Sequence, residues 1–261
     1  SAFGSGVFNS CTSLVKIVIP DSFSGKLGII RNYYRADDER YGIFYNCSSL
    51  EMVVLSKNIT DIGVFTFAKC TSLKSIDLPP EIRSLSSGSF YFCTNLTSIT
   101  IPESIYSIGQ WAFTGCASLT SFEIPKSVTC IENYTFQDCT SLTTVTISEG
   151  PEFIGNYAFA GCSKLNNINI PFSISHIGDY SFSGCRGLTS ISIPESVSRI
   201  GGEAFLNCSG LVSMIIPESV SSIGGSAFQN CSSLKSVSIP ESITIINNES
   251  TLKSQRPLTT H

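Results

Sequence analysis

Cysteine and histidine are the side chains with the most chemistry to offer here, and their spacing argues against most of it. The 261 residues include 11 cysteines and two histidines. Cys47, Cys70, Cys93, Cys116, Cys139, Cys162, Cys185, Cys208 and Cys231 follow one another at 23-residue intervals. Cys11 precedes Cys47 by 36, and Cys130 is off register. Zinc needs clustered ligands, and no C-x-x-C pair or histidine partner accompanies these cysteines. A disulfide between stacked neighbours has a suitable Cα separation, but its Cβ vectors run parallel instead of converging. The ladder cysteines therefore read as small buried hydrophobes. Cys130 precedes Ile131 beside Glu132, where most repeats have glycine, and reads as a partly exposed thiol, either inert or open to an intermolecular bond. A Ser-His-Asp or Cys-His site needs an imidazole beside a nucleophile. His261 is the last residue, and His176 sits among surface positions such as Asp179. No catalytic residue, metal ligand or cofactor site is assigned.

The elements that position these residues follow from the same period. A fixed repeat of about 20–50 residues marks a solenoid. The unit is C-x-S-L-x-x-I-x-I-P-x-S-I-x-x-I-G-x-x-A-F-x-x, shown by Cys93, Leu96, Ile99, Ile101, Pro102, Ile105, Ile108, Gly109, Ala112 and Phe113. Ten units start at Cys11, and residues 1–10 hold the end of an earlier one. The chain thus starts mid-repeat and without Met, which reads as an excised fragment or a processed product. Leu-x-x-Ile-x-Ile alternates as a short half-buried strand. Proline ends its ladder for want of an N–H. Ser-Ile-x-x-Ile-Gly supplies a second extended piece, with glycine permitting a tight corner. Ala-Phe-x-x-Cys is too short for an α-helix and predicts a single helical or 3₁₀ turn. The expected fold is a β-rich repeat solenoid of ten to eleven 23-residue units with one or two short parallel strands each. At a spacing of ~4.8 Å, ten coils span roughly 45–50 Å. The solenoid covers residues 1–246, with an insertion at about 21–40, and residues 247–261 form a C-terminal tail.

The repeat unit resembles the BspA-like type of leucine-rich repeat, from Phe3 to Ile246. That resemblance implies a right-handed leucine-rich-repeat coil and a recognition scaffold without fixed catalytic residues. It also implies roles such as those of surface or secreted proteins that adhere to host matrix proteins or cells. Composition agrees that the partner is not nucleic acid: charged residues are 14%, the formal charge is −4, and no Lys/Arg-rich run occurs. No apolar stretch reaches the roughly 18 residues of a membrane span, and no signal-peptide pattern opens the chain.

Three surfaces are candidates for binding a protein or glycan ligand. The first strand exposes three positions per coil, and mid-solenoid these are Thr143, Thr144 and Thr146, then Asn166, Asn167 and Asn169. Short hydroxyl and amide groups suit hydrogen bonding to a ligand, and equally a plain soluble β-surface. The residue before Ala-Phe is Phe65, then Trp111, Tyr134, Tyr157 and Tyr180, with Gly88 interrupting. This position is expected to lie largely outside the core, where four aromatics at coil spacing either hold a partner or stack to shield the corners. Asn133, Asn156 and Asp179 lie nearby. The insertion carries Tyr33, Tyr34 and Arg35 among mixed charges, as a contact loop or a tolerated excursion. Glu103, Glu195, Glu218 and Glu241 form an acidic row too sparse for calcium, best read as a solvated face. Seven N-x-S/T sequons, at Asn46, Asn58, Asn95, Asn133, Asn207, Asn230 and Asn248, permit glycosylation.

The resulting expectation is a non-enzymatic recognition module acting in adhesion at the cell surface or outside the cell. The alternative is a cytoplasmic scaffold in a larger assembly, which reduced thiols would suit. Both solenoid ends look uncapped, so self-association through them is expected, with the N-terminal coil frayed or covered.

Overall fold

The computed structural model describes residues 4–31, 41–243 and 245–246. Each Ile-x-Ile alternation buries its apolar side chains and leaves the residues between them outside, giving a first row of short strands. They are β1 (Lys16–Val18), β3 (Met52–Val54), β7 (Ser121–Ile124), β8 (Thr144–Ile147), β10 (Asn167–Ile168), β13 (Ser213–Ile215) and β15 (Ser236–Ser238). The second extended piece gives β2 (Gly25–Leu27), β4 (Ile59–Ile62), β5 (Ser84–Leu85), β6 (Ser107–Ile108), β9 (Phe153–Ile154), β11 (His176–Ile177), β12 (Arg199–Ile200), β14 (Ser222–Ile223) and β16 (Ile245–Ile246). Strands pair in parallel with the equivalent strand one coil away, as in Phe122↔Val145 and Ile177↔Ile200. The chain is therefore a parallel β-solenoid. Its first row forms sheets β1–β3, β7–β8–β10 and β13–β15, so only seven coils carry a regular first strand among the described residues. The repeating proline links the two rows: its carbonyl accepts the amide three residues on, as from Ile105 to Pro102 at 3.0 Å.

The corner glycine has a different reason from the one expected. Gly155 is not in the left-handed region; it is needed because a Cβ there would lie 2.7 Å from the backbone of Glu132 and Asn133 in the preceding coil. Coil 5 has Glu132 at this corner. The second row divides there into β2–β4–β5–β6 and β9–β11–β12–β14–β16, with Ile131 joined to Ile154 by an isolated bridge. A side chain at this corner does not by itself break the row, since Ser86 holds the same position in the coil of β5, which pairs with both β4 and β6.

The predicted helical or 3₁₀ turn is corrected by the structure, in which this segment is a chain of alternating bonds. Thr66, Ala68 and Cys70 donate their amides three residues back within the coil, at 3.3, 3.1 and 3.2 Å. Phe65, Phe67 and Lys69 instead donate to Ser87, Ser89 and Tyr91 of the next coil, at 3.0, 2.9 and 2.6 Å. A helical turn would spend every amide internally. Here left-handed residues at Phe65 (φ +48°) and Lys69 (φ +59°) turn alternate amides outward, so the turns stack as a third wall.

Between the walls runs one core. Ten phenylalanines, from Phe8 and Phe44 through Phe67, Phe90, Phe113, Phe136, Phe159, Phe182 and Phe205 to Phe228, stack with centroids 5.3–5.6 Å apart. The N-terminal coil is less enclosed: Cys11 is exposed, and Phe8, Leu14 and Ile17 are only partly buried.

Cys11 and Cys47 are 13 residues further apart than one period. β2 still pairs with β4, with a register shift between Gly25 and Lys26 that leaves Thr60 of β4 without a partner in the ladder. After Leu27 the chain leaves the repeat and crosses the turn wall. Val64 donates to the Ile29 carbonyl at 2.7 Å and Ser87 to the Arg31 carbonyl at 2.8 Å, so the excursion spans two coils. Its cover creates a second small cluster of Val64, Phe65 and Ala68, packed by Ile29, Tyr41, Tyr45 and Tyr91.

Candidate functional site

The turn wall carries the aromatic stripe. Trp111, Tyr134, Tyr157 and Tyr180 all have φ between +55° and +61°, and Gly88 fills the same slot at +63°. Left-handed backbone is uncommon for residues other than glycine, asparagine and aspartate. The four rings nonetheless form one stack: Trp111–Tyr134 at 4.8 Å and 6°, Tyr134–Tyr157 at 4.9 Å and 10°, Tyr157–Tyr180 at 4.5 Å and 5°. All four are half-buried. Inner ring faces are covered by neighbouring rings, so the stack presents ring edges, and the Tyr180 hydroxyl is taken up by Glu203. Phe65 departs from the expected exposed position and is 1% exposed, because the crossing segment covers it. Its ring lies against Gly88, where a Cβ would come within 2.5 Å of Phe65 Cε1.

Beside the rings runs a polar ladder. Asn133 Oδ1 accepts the Asn156 amide at 2.7 Å, Asn156 Oδ1 that of Asp179 at 2.8 Å, and Asp179 Oδ1 that of Gly202 at 2.8 Å. The stack ends at Glu203, itself at φ +53°, whose Oε1 accepts the Tyr180 hydroxyl. That bond to a carboxylate, with burial second, pushes the Tyr180 phenol up to about 12. Burial and the neighbouring Tyr134 also raise Tyr157.

The threonine and asparagine candidates lie on a different side of the coil, on β8 and β10, where Asn167 pairs with Thr144. Two are committed to the fold. Thr143 Oγ1 donates to the Thr120 carbonyl at 3.0 Å. The Asn169 amide brackets Ile147, accepting its N–H at 2.9 Å and donating to its carbonyl at 2.7 Å. Asn166, Asn167 and Thr146 are exposed and Thr144 is half-buried. Tyr33, Tyr34 and Arg35 lie outside the described residues. At both ends this face turns apolar, with Val15, Val18, Met52 and Val54 exposed at one end and Val212 and Ile215 at the other. These residues follow from the strand alternation, though their grouping by coil is what makes a patch.

The cysteine ladder holds a role that spacing alone did not give. From Cys47 to Cys231, each thiol donates to the phenylalanine carbonyl of the preceding coil at 3.0–3.3 Å, as Cys162 does to Phe136 at 3.1 Å. Burial raises all nine thiols, with Cys47 and Cys231 pushed up to about 11 and those between directed upward by the same cause. Protonated, enclosed thiols neither attack nor ligate. Cys130 is half-buried and faces Glu132 at 3.5 Å; burial and that carboxylate push it to about 11. His176 stacks on Phe153 at 5.3 Å, with Nδ1 3.0 Å from Ser175 Oγ. Ser175 Oγ also donates to the Glu152 carbonyl at 2.9 Å, so its one proton is committed to backbone and the pair is not a nucleophile and base. Among the described residues, no group of three or more His, Cys, Asp or Glu is placed to hold a metal, and no helix is long and apolar enough to cross a membrane.

Stacked 23-residue parallel coils with a Leu/Ile interior and one cysteine per turn define a leucine-rich-repeat solenoid, a class that binds proteins and is generally non-catalytic. The chain belongs to the BspA type leucine rich repeat family, whose repeat region matches residues 40–166 and 129–256. A leucine-rich repeat protein from Bacteroides ovatus aligns at 23% identity over 92% of this chain and 82% of its own, with a TM-score of 0.62. One from Eubacterium ventriosum aligns at 24% identity over 91% and 63%, with a TM-score of 0.69. The pneumococcal vaccine antigen PcpA aligns at 18% identity over 87% and 62%, with a TM-score of 0.54. These likenesses show the fold. No curated protein matches the chain.

Proposed function

We propose that this chain is a non-enzymatic recognition module that holds a protein partner and acts in adhesion at the cell surface or outside the cell. The aromatic stack carries the reading. Trp111, Tyr134, Tyr157 and Tyr180 occupy backbone slots where glycine is the low-energy residue and where the chain itself uses Gly88. The left-handed conformation costs other residues roughly 1–2 kcal/mol, and the same slot bears it without a ring at Glu203 and Ser226, so the four consecutive rings are what set this stretch apart. Inner rings offer edges instead of open faces, which favours contact with a protein over stacking against a sugar. Half-buried Tyr and Trp anchors on a rigid frame are what protein contact surfaces concentrate. Thr144, Thr146, Asn166 and Asn167 on the first-strand face, and Tyr33, Tyr34 and Arg35 in the insertion, are assigned as further contacts.

The cytoplasmic alternative drew on the free thiols. Their burial and S–H···O=C bonds shield them in an oxidising compartment as well, so they do not favour the cytosol.

The test is binding of the purified chain to immobilised extracellular-matrix proteins, compared with a glycan array. The Tyr134→Ser/Tyr157→Ser/Tyr180→Ser variant should lose protein binding while still folding, with a cooperative melt lowered by the lost stacking contacts. Binding that survives in this variant but is lost in Thr144→Lys/Asn167→Lys would move the site to the first-strand face. Binding to glycans alone would overturn the protein partner.

A further inference from the structure

The four stacked rings are all oxidisable, and Trp111 is the one tryptophan in the chain. Successive contacts of 4.8, 4.9 and 4.5 Å, with planes within 10° of parallel, give continuous π overlap from Trp111 to Tyr180. The chain of rings has a polarity. At one end is an indole; at the other, Tyr180 donates its hydroxyl to the Glu203 carboxylate. A phenol that loses an electron becomes strongly acidic, so a base already hydrogen-bonded to it makes that phenol the place where an electron vacancy settles.

We propose that the stack is a radical relay that carries an electron vacancy from Trp111 through Tyr134 and Tyr157 to Tyr180, with Glu203 accepting the Tyr180 proton. A one-electron oxidant, such as an oxidising inorganic radical or a ferryl haem, takes one electron from Trp111 and is itself reduced. An electron passing back along the stack restores the indole. Tyr180 supplies that electron as its O–H proton moves to Glu203. The balance is Trp111 unchanged, Tyr180 as the neutral phenoxyl radical, Glu203 as the carboxylic acid, and the oxidant reduced by one electron. No bond between heavy atoms forms or breaks. The relay collects oxidising equivalents at one half-buried phenol on the turn wall. It is independent of the recognition reading, since no partner enters it.

Pulse radiolysis with azide radical tests the proposal, because azide radical takes an electron from indole in preference to neutral phenol. The measured quantity is the conversion of the indolyl radical absorbance into phenoxyl absorbance. The expected result is a first-order conversion independent of protein concentration. Tyr134→Phe keeps the stack but removes an oxidisable ring, and should slow conversion roughly tenfold, about 1.4 kcal/mol on the barrier. Glu203→Gln should lower the phenoxyl yield, and Tyr106→Phe, an exposed phenol outside the stack, should change nothing. Thermal melts of the same samples establish that the variants fold. A conversion rate that scales with protein concentration, or one unchanged in both Tyr134→Phe and Glu203→Gln, would overturn the relay.

Discussion

Replacing Tyr157 by glycine and by alanine separates the ring from the backbone beneath it. Both changes delete the stacking contacts to Tyr134 at 4.9 Å and Tyr180 at 4.5 Å. Each contact contributes about 0.5–1.5 kcal/mol beyond area burial, so both variants should be destabilised. They differ in one respect. At φ +57° a Cβ is strained and glycine is not. In ordinary helix or strand interiors glycine is worse than alanine by roughly 0.5–1 kcal/mol; here the order should invert. Allowing for the greater freedom of glycine in the unfolded chain, the glycine variant should be the more stable by about 1 kcal/mol. For a chain of this size that is about 2–4 °C in melting temperature. The assay is paired thermal melts, with urea titrations to check that the denaturant slope is the same for both, since repeat arrays can lose cooperativity. An alanine variant melting at or above the glycine variant would refute the left-handed assignment.

Phe159 is fully buried between Phe136 at 5.3 Å and Phe182 at 5.4 Å, and Phe159→Ala should destabilise by about 3–5 kcal/mol; a melt shift no larger than that of the surface change Ser190→Ala would contradict the core assignment. Native alkylation followed by mass spectrometry should label exposed Cys11 first, half-buried Cys130 more slowly, and the nine ladder thiols only on unfolding. Cys130, pushed to about 11, should go on gaining reactivity above pH 9, and a plateau near pH 9 would contradict its partial burial beside Glu132. Stability should fall steeply in alkali. The ladder thiols are raised from 9.0 in the folded chain, so above that pH the unfolded chain binds fewer protons and is favoured, each thiol contributing up to about 1.4 kcal/mol per pH unit until its folded value is passed. Melting temperatures at pH 8, 9, 10 and 11 check this, and a flat profile across that window would show that the thiols are not enclosed.

Much of the architecture was legible because the repeat is a one-dimensional code. Leu96, Ile99 and Ile101 recur with the period of the coil, and any parallel stacking that buries them must place Cys93 under Cys116 and Phe113 under Phe136. Strand rows, proline turns and the free-thiol ladder follow from that alone. Hydrogen bonds between coils were less legible, because most join residues 22 to 26 positions apart through backbone atoms that every residue shares. Hence Cys162 read as a small hydrophobe, whereas its thiol also donates to the Phe136 carbonyl at 3.1 Å.

What the sequence determined by itself is the period, the parallel solenoid, the buried ladders and the membership of the family, since each depends on residue type at fixed spacing. Tertiary structure alone decided the rest. The sign of φ at Tyr134 and Tyr157 is invisible in an aromatic residue, because it is imposed by the alternation of amides between one coil and the next. The burial of Phe65 depends on where an irregular segment crosses, and its repeat position matches that of the half-exposed Tyr157. The corner glycine is set by the closeness of two backbones, a distance that no single repeat contains.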